Sequence, residues 1–225
     1  RYSTEGGDRK AEKGDWYLSD SETEMLKKLS GLYDSVIVLV NSGGAIDTSW
    51  AAGKVEGIDV EAVLFTWYPG AEGGNAIADI LLGKANPSGK LAMTLAESIT
   101  DYPSDDGFEN LEHTDYTEDI YIGYRYFTTF DKNVNYPFGF GLSYTAFSLS
   151  DTVYSATETD ITVKTTVTNT GSYAGKEVVQ VYYGAPRIAD GSKLGNPKAE
   201  LAGFAKTLLL APGESETVSV TFPIT

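Results

Sequence analysis

Cysteine is absent from the 225-residue chain, histidine occurs once and methionine twice. Disulfides, thiolate nucleophiles and zinc-cysteine sites are thereby excluded, while the compartment stays open because a cysteine-free protein suits either redox setting. The cytoplasm is slightly favoured over secretion as an expectation. Long apolar runs are missing too: VIVLV, residues 36–40, falls far short of the roughly 20 residues that a membrane-crossing helix needs. Positive charge is scarce, with 17 Lys and Arg against 32 Asp and Glu and a net charge of −15. Such a chain repels nucleic acid and anionic membranes, so neither is an expected partner and neutral ligands fit better.

What is present is the composition of an ordinary folded protein, 41% apolar and 22% charged, long enough for one large or two medium domains. Acidity is concentrated in residues 1–143, with 11 basic and 24 acidic side chains, whereas residues 144–225 hold 6 and 8. Between Glu97 and Asp119 nine acids occur without a Lys or Arg, interrupted by Pro103 and Gly107. That stretch reads as a solvated loop, with the rim of a binding cleft as the alternative.

Residues 1–143 alternate helix and buried-strand signals. Ser19 followed by Glu22 forms a capping box and predicts a helix from Asp20 to Ser30, ending before Gly31. SVIVLV (35–40) and AVLFTW (62–67) read as strands apolar on both faces, the pattern of a parallel sheet covered by helices. YPGAEGGNAIADILLGK predicts a glycine-rich turn and then a helix carrying Ile77, Ile80 and Leu81 that stops at Gly83. NPSGKLAMTL leads into a short strand. The expected class is α/β, a partial parallel-sheet sandwich layer.

From Tyr144 the apolar period becomes two. Ile161, Val163, Thr165 and Val167 alternate with polar neighbours, as do Val179, Val181 and Tyr183, then Val218, Val220 and Phe222. TNTGSYAG and LAPGESE supply turns, so residues 144–225 are expected to form an antiparallel sandwich of the immunoglobulin or fibronectin type III kind. YPFGFGLSYTAF (136–147), rich in glycine and aromatics, reads as a packed seam between domains 1–143 and 144–225.

Residue chemistry alone points to little. The Gly70, Gly73, Gly74 turn has neither GxGxxG nor GxxxxGK[ST] spacing, so a tight structural turn is preferred to a nucleotide site. His113 has no cysteine with which to share a metal and no GxSxG serine nearby, and reads as a surface residue. Asp105, Asp106 and Glu109 lack EF-hand spacing. Neither metal nor cofactor is expected. Trp16, Trp50 and Trp67 could stack on a ligand ring but are better read as core. NSGGAID, with Asn41, Ser42 and Asp47, is either a ligand-facing loop at a strand's carboxyl end or a structural turn.

Four stretches in order, STEGGDRKAEKGDWYLSD, WYPGAEGGNAIADILLGKANPSGKLAMT, EDIYIGYRYF and YPFGFGLSYTAF, followed by VTNTGSYAGKEVVQVYYGAP, resemble glycoside hydrolase family 3, the β-glucosidase and β-xylosidase family. The resemblance covers nearly the whole chain. It implies the later part of the family's α/β sandwich domain followed by a fibronectin type III-like domain, and a cofactor-free retaining hydrolysis of β-linked sugars. It also implies that Glu5, in the pattern EGxDRK, is the general acid/base, and that Asp8 and Arg9 form an ion pair orienting its loop. Retaining cleavage needs two carboxyl groups about 5–5.5 Å apart, one attacking the sugar and one protonating the leaving oxygen. Burial beside the attacking aspartate is what keeps such an acid protonated, and Ser3, Thr4, Gly6 and Gly7 leave room for substrate.

The chain departs from the family pattern in lacking the (β/α)8 barrel, the nucleophile strand and the first half of the sandwich domain. The expected partner is therefore a second polypeptide or fragment carrying those parts, in a two-chain or nicked enzyme that could dimerise as an assembly. The sugar-binding residues of this chain are not identified. Alternatives are a non-catalytic carbohydrate-binding or scaffold module, an anion-binding α/β domain built on the Gly70 turn, and a β-xylosidase or β-N-acetylglucosaminidase of the same family.

Overall fold

A computed structural model describes residues 10–105, 112–185 and 195–224. Compactness divides the described chain into two units that are not contiguous in sequence. The first draws on 1–78, 94–119 and 133–137, the second on 79–93, 120–132 and 138–225.

In the first unit, helix α1 (Asp20–Leu32) starts as its capping box requires: Ser19 Oγ accepts from Glu22 N at 3.2 Å and the Glu22 carboxylate accepts from Ser19 N at 2.7 Å. The helix runs past Gly31, where sequence punctuation places its end. Ser30 explains the overrun: its hydroxyl donates to Asp59 O at 2.8 Å and accepts from Asp59 N at 2.9 Å, tying the last turn to the segment that precedes the strand at 62–65. A tertiary tether of two bonds outweighs the roughly 1 kcal/mol that one glycine costs a helix.

Strands β1 (Ile37–Val40) and β2 (Ala62–Phe65) pair in parallel, in register from Ile37 with Ala62 to Val40 with Phe65. Alternation splits their side chains between two faces. Val38, Val40, Val63 and Phe65 pack on a core of Leu26, Ile46, Trp50 and Ile58. Ile37 and Leu39, on the opposite face, are 53% and 43% exposed. Both faces are apolar as expected, but only one is covered by the described residues.

Helix α2 (Gly73–Leu81) follows β2 and ends before Gly83, whose φ of 69° suits a residue without Cβ. Strand β3 (Leu95–Ala96) pairs antiparallel with β4 (Val134–Tyr136), and Asn135 Nδ2 donates to Thr48 Oγ1 at 3.1 Å and Ala96 O at 3.2 Å.

The second unit is built on antiparallel strands. A sheet ordered β5-β6-β9 comprises Phe147–Ala156, Asp160–Asn169 and Ser215–Pro223, and a two-stranded sheet joins β7 (Val178–Tyr183) to β8 (Glu200–Lys206). Val167, Val179, Leu210 and Val218 form the core, with Phe147, Val181 and Ala205 against it. Of the period-two residues, Thr165, Val167, Val179, Val218 and Val220 are buried, whereas Tyr183 at the end of β7 is exposed. A six-residue helix, α3 (Tyr124–Thr129), lies in the same unit, its Tyr124 hydroxyl accepting from Leu201 N at 2.8 Å.

Asn169, fully buried, fastens this unit. Its amide donates to Tyr173 O at 2.7 Å and Leu210 O at 2.9 Å, and its carbonyl accepts from Thr145 Oγ1 at 2.7 Å and Gly171 N at 3.1 Å. All four hydrogen-bonding positions of the side chain are used.

Candidate active site

The three residues singled out for chemistry, Glu5, Asp8 and Arg9, lie outside the described residues. The segment on their carboxyl side is firmly held. Residues 10–17 fold into a tight knot: Glu12 N and Trp16 N both donate to Lys10 O, Gly14 N donates to Tyr17 O, and Lys10 N donates to an Asp15 carboxylate oxygen at 2.9 Å. Trp16, only 3% exposed, pins the knot, its carbonyl accepting from Asp47 N at 2.9 Å and its ring meeting Tyr102 edge-on at 5.9 Å.

The anchor is itself held at the carboxyl end of β1. Asp47, 6% exposed, accepts from Ser49 N at 3.0 Å and from Ser49 Oγ at 2.7 Å, while its backbone carbonyl accepts from Trp50 Nε1 at 2.8 Å. Ser42, also buried, donates to Gly44 O at 3.0 Å. Of the two readings of NSGGAID, Asp47 and Ser42 thus follow the structural one. Asn41 stays exposed at its mouth.

Tyr102 closes the floor. Its hydroxyl donates to Thr94 O at 2.9 Å and accepts from Ala96 N at 3.1 Å. Burial raises its pKa above the usual tyrosine value; the Ala96 N–H partly opposes this and the charge of Asp101 adds to it.

The tryptophans divide. Trp16 and Trp50 are core, as expected. Trp67 is half-buried, 5.5 Å from Phe65 ring to ring, and its φ of 49° is one that bulky L residues seldom adopt. Just before it, Thr66 donates to Val40 O through both N and Oγ1 at 2.9 and 3.0 Å, closing the parallel pair. Just after it, Tyr68 is 54% exposed and lies so close to Gly43 that a Cβ there would overlap its ring. Sequence reasoning misses Tyr68. The glycine pair 43–44 is the only signal of close approach, and it names no neighbour.

Elsewhere, His113 is exposed and 3.6 Å from an Asp115 carboxylate oxygen, within the acidic loop. Gly70 has φ 74° and the Gly70–Gly73 segment is the turn into α2. Among the described residues no helix is long and apolar enough to cross a membrane, and no group of three or more acids and histidines could hold a metal ion.

Comparison with known proteins gives the chain its context. Residues 1–144 match the profile of the glycosyl hydrolase family 3 C-terminal domain, and residues 177–225 match a fibronectin type III-like domain. The chain is 46% identical to beta-glucosidase A of Butyrivibrio fibrisolvens over 96% of its own length and 28% of that protein's. It is 42% identical to a beta-glucosidase of Ruminococcus albus over 98% of its own length and 22% of the relative's. It thus spans about a quarter of these curated relatives. Among solved structures, beta-glucosidase 3B of Thermotoga neapolitana superposes with a TM-score of 0.89 at 44% identity, covering 99% of this chain and 31% of the other. The chain belongs to glycosyl hydrolase family 3, as its C-terminal α/β domain followed by a fibronectin type III-like domain.

Proposed function

We propose that this chain supplies the general acid/base of a retaining β-glucosidase, with Glu5 as the proton donor and Asp8 and Arg9 orienting its loop. The α/β portion is taken as residues 1–143 and the sandwich as 144–225. The observation carrying this reading is the EGGDRK stretch at residues 5–10, in a chain 42% to 46% identical to proteins named beta-glucosidase.

In the proposed reaction a carboxylate supplied from outside this chain attacks the anomeric carbon while Glu5 protonates the leaving oxygen. Glu5, now a carboxylate, then takes a proton from the water that releases the sugar, and is ready again. The knot at 10–17, pinned by Trp16 and Asp47, gives the acid a rigid root close to the strand ends while the glycines beside it allow reach.

The nucleophile and most sugar contacts come from a segment or chain carrying a barrel and the rest of the sandwich domain. Two observations support such a partner: the chain spans only 28% and 22% of these relatives, and the face of the parallel sheet that carries Ile37 and Leu39 is exposed, where such a sheet normally has both faces covered. A second reading concerns the sugar alone, since an exo-alpha-(1->6)-L-arabinopyranosidase of Bifidobacterium longum is 39% identical over 87% of this chain.

The test is Glu5→Gln in the assembled enzyme. Hydrolysis of an aryl β-glucoside with a poor leaving group is expected to fall at least 10²-fold. It should fall less for a good leaving group and recover in part with azide. A rate unchanged for every leaving group would favour the non-catalytic module instead.

A further inference from the structure

We propose that Tyr68 is a stacking platform for a neutral pyranose ring, held in place by Gly43 and by the left-handed backbone of Trp67. The choice of a sugar rests on the β-glucosidase reading above; the existence of a platform rests on the geometry. Three independent observations converge on this side chain. Tyr68 lies at the carboxyl end of β2 beside the loop that leaves β1, where open α/β sheets gather their ligands. Trp67 takes a φ of 49° immediately before it, a conformation that persists only where the surroundings impose it and that clusters at ligand sites. More than half of Tyr68 is nonetheless left to solvent.

The close approach to Gly43 makes the ring a preorganised surface. A ring with a backbone wall against it loses little further freedom when a ligand arrives, which is what an aromatic contact to a sugar needs. Gly43 does not have a left-handed φ, so its lack of a side chain answers to the ring and not to the backbone. The strong negative charge of residues 1–143 disfavours an anionic ligand and tolerates a neutral one.

The experiment titrates cellotetraose into the purified chain, following tryptophan fluorescence and backbone amide NMR shifts. Shifts concentrated at Gly43, Trp67 and Tyr68 with millimolar affinity are expected. Tyr68→Phe should bind within twofold of the parent, whereas Tyr68→Ala and Gly43→Ala should each weaken binding at least fivefold, the latter by displacing the ring without removing it. The acid/base assignment is read separately, from the leaving-group dependence of Glu5→Gln in the assembled enzyme, so that its failure and failure of the platform are separable. Absence of binding at 50 mM sugar would overturn the proposal, as would shifts mapping elsewhere or a Tyr68→Ala chain that binds like the parent. Circular dichroism of each variant identifies any that unfolds, and the shift map of the parent decides the matter in that event.

Discussion

The two units of the chain treat their interiors differently. In the antiparallel unit the central strand β6 sends Thr165, Val167 and Asn169 inward, all at most 3% exposed, and Asn169 finds a partner for every polar position it has. In the parallel unit β1 buries Val40 at 7% yet leaves Ile37 and Leu39 about half in solvent. An antiparallel sheet is built to have one wet face, and a parallel sheet is not. The second unit closes on its own core, whereas the first leaves one apolar face of its parallel pair uncovered by the described residues.

The sharpest way to break the comparison is Asn169→Ala. The substitution removes, from a fully buried position, the partner of Tyr173 O, Gly171 N and the Thr145 hydroxyl and one of the two donors to Leu210 O, which keeps its bond from Gly175 N at 3.0 Å. Each such group costs on the order of 1 kcal/mol or more, so a loss of about 3–5 kcal/mol is expected. Chemical denaturation of parent and variant checks this, and a loss below about 1 kcal/mol would mean that the apolar core alone holds the sandwich.

Next in size is Tyr102→Phe, which probes the floor of the parallel unit. Removing the hydroxyl leaves Ala96 N and Thr94 O without that partner, at an expected cost of about 1–2 kcal/mol. The raised pKa adds a pH signature. A group whose pKa is higher folded than unfolded contributes stability that is fully present below the unfolded value, about 10 for tyrosine, and is lost as pH climbs through the folded value. Melting curves between pH 8 and 11 should therefore fall more steeply for the parent than for Tyr102→Phe. Parallel curves would show that the hydroxyl ionises without penalty.

Much of this is legible in the sequence, and the limits are physical. The capping box at Ser19, the two apolar runs and the alternations of β6, β7 and β9 are local signals, and each names its element. Strand β5 escapes because Leu149, Val153 and Tyr154 are all more than half exposed, so no buried face imposes a period on its sequence. Strand β8 is hidden by Ala202, Gly203 and Ala205, small residues with weak strand preference, set where Gly203 lies against Val220. Helix α3 has no side-chain cap and too few residues to show a period.

The site is legible only in part, for a related reason. EGGDRK speaks through its resemblance to a family and not through any local physics. The backbone flip at Trp67 and the seat of Tyr68 on Gly43 join residues 25 apart in sequence through one tertiary contact. Asp47 reads equally well as a ligand or as a cap until Ser49 and Trp50 are seen to surround it.

The smallest expected effect sharpens the comparison most. Ile37→Thr with Leu39→Thr alters two side chains on the open face of β1, and because both already meet water, stability of the chain alone should change by less than about 0.5 kcal/mol. Threonine has the β-branching a strand favours, so the backbone has no reason to move. The matched change on the other face, Val40→Thr, puts a hydroxyl into the core of Leu26, Ile46, Trp50 and Ile58 and should cost about 1–3 kcal/mol. The open-face pair should also keep the isolated chain monomeric at concentrations where the parent aggregates in size-exclusion chromatography, since exposed apolar sheet is what associates. In the assembled enzyme the order should reverse: Ile37 and Leu39 would then lie buried beneath the partner, and the pair that is silent in the isolated chain should weaken assembly and activity together. A double variant that leaves assembly intact would place the partner elsewhere and make the open face of β1 a property of the chain in its own right.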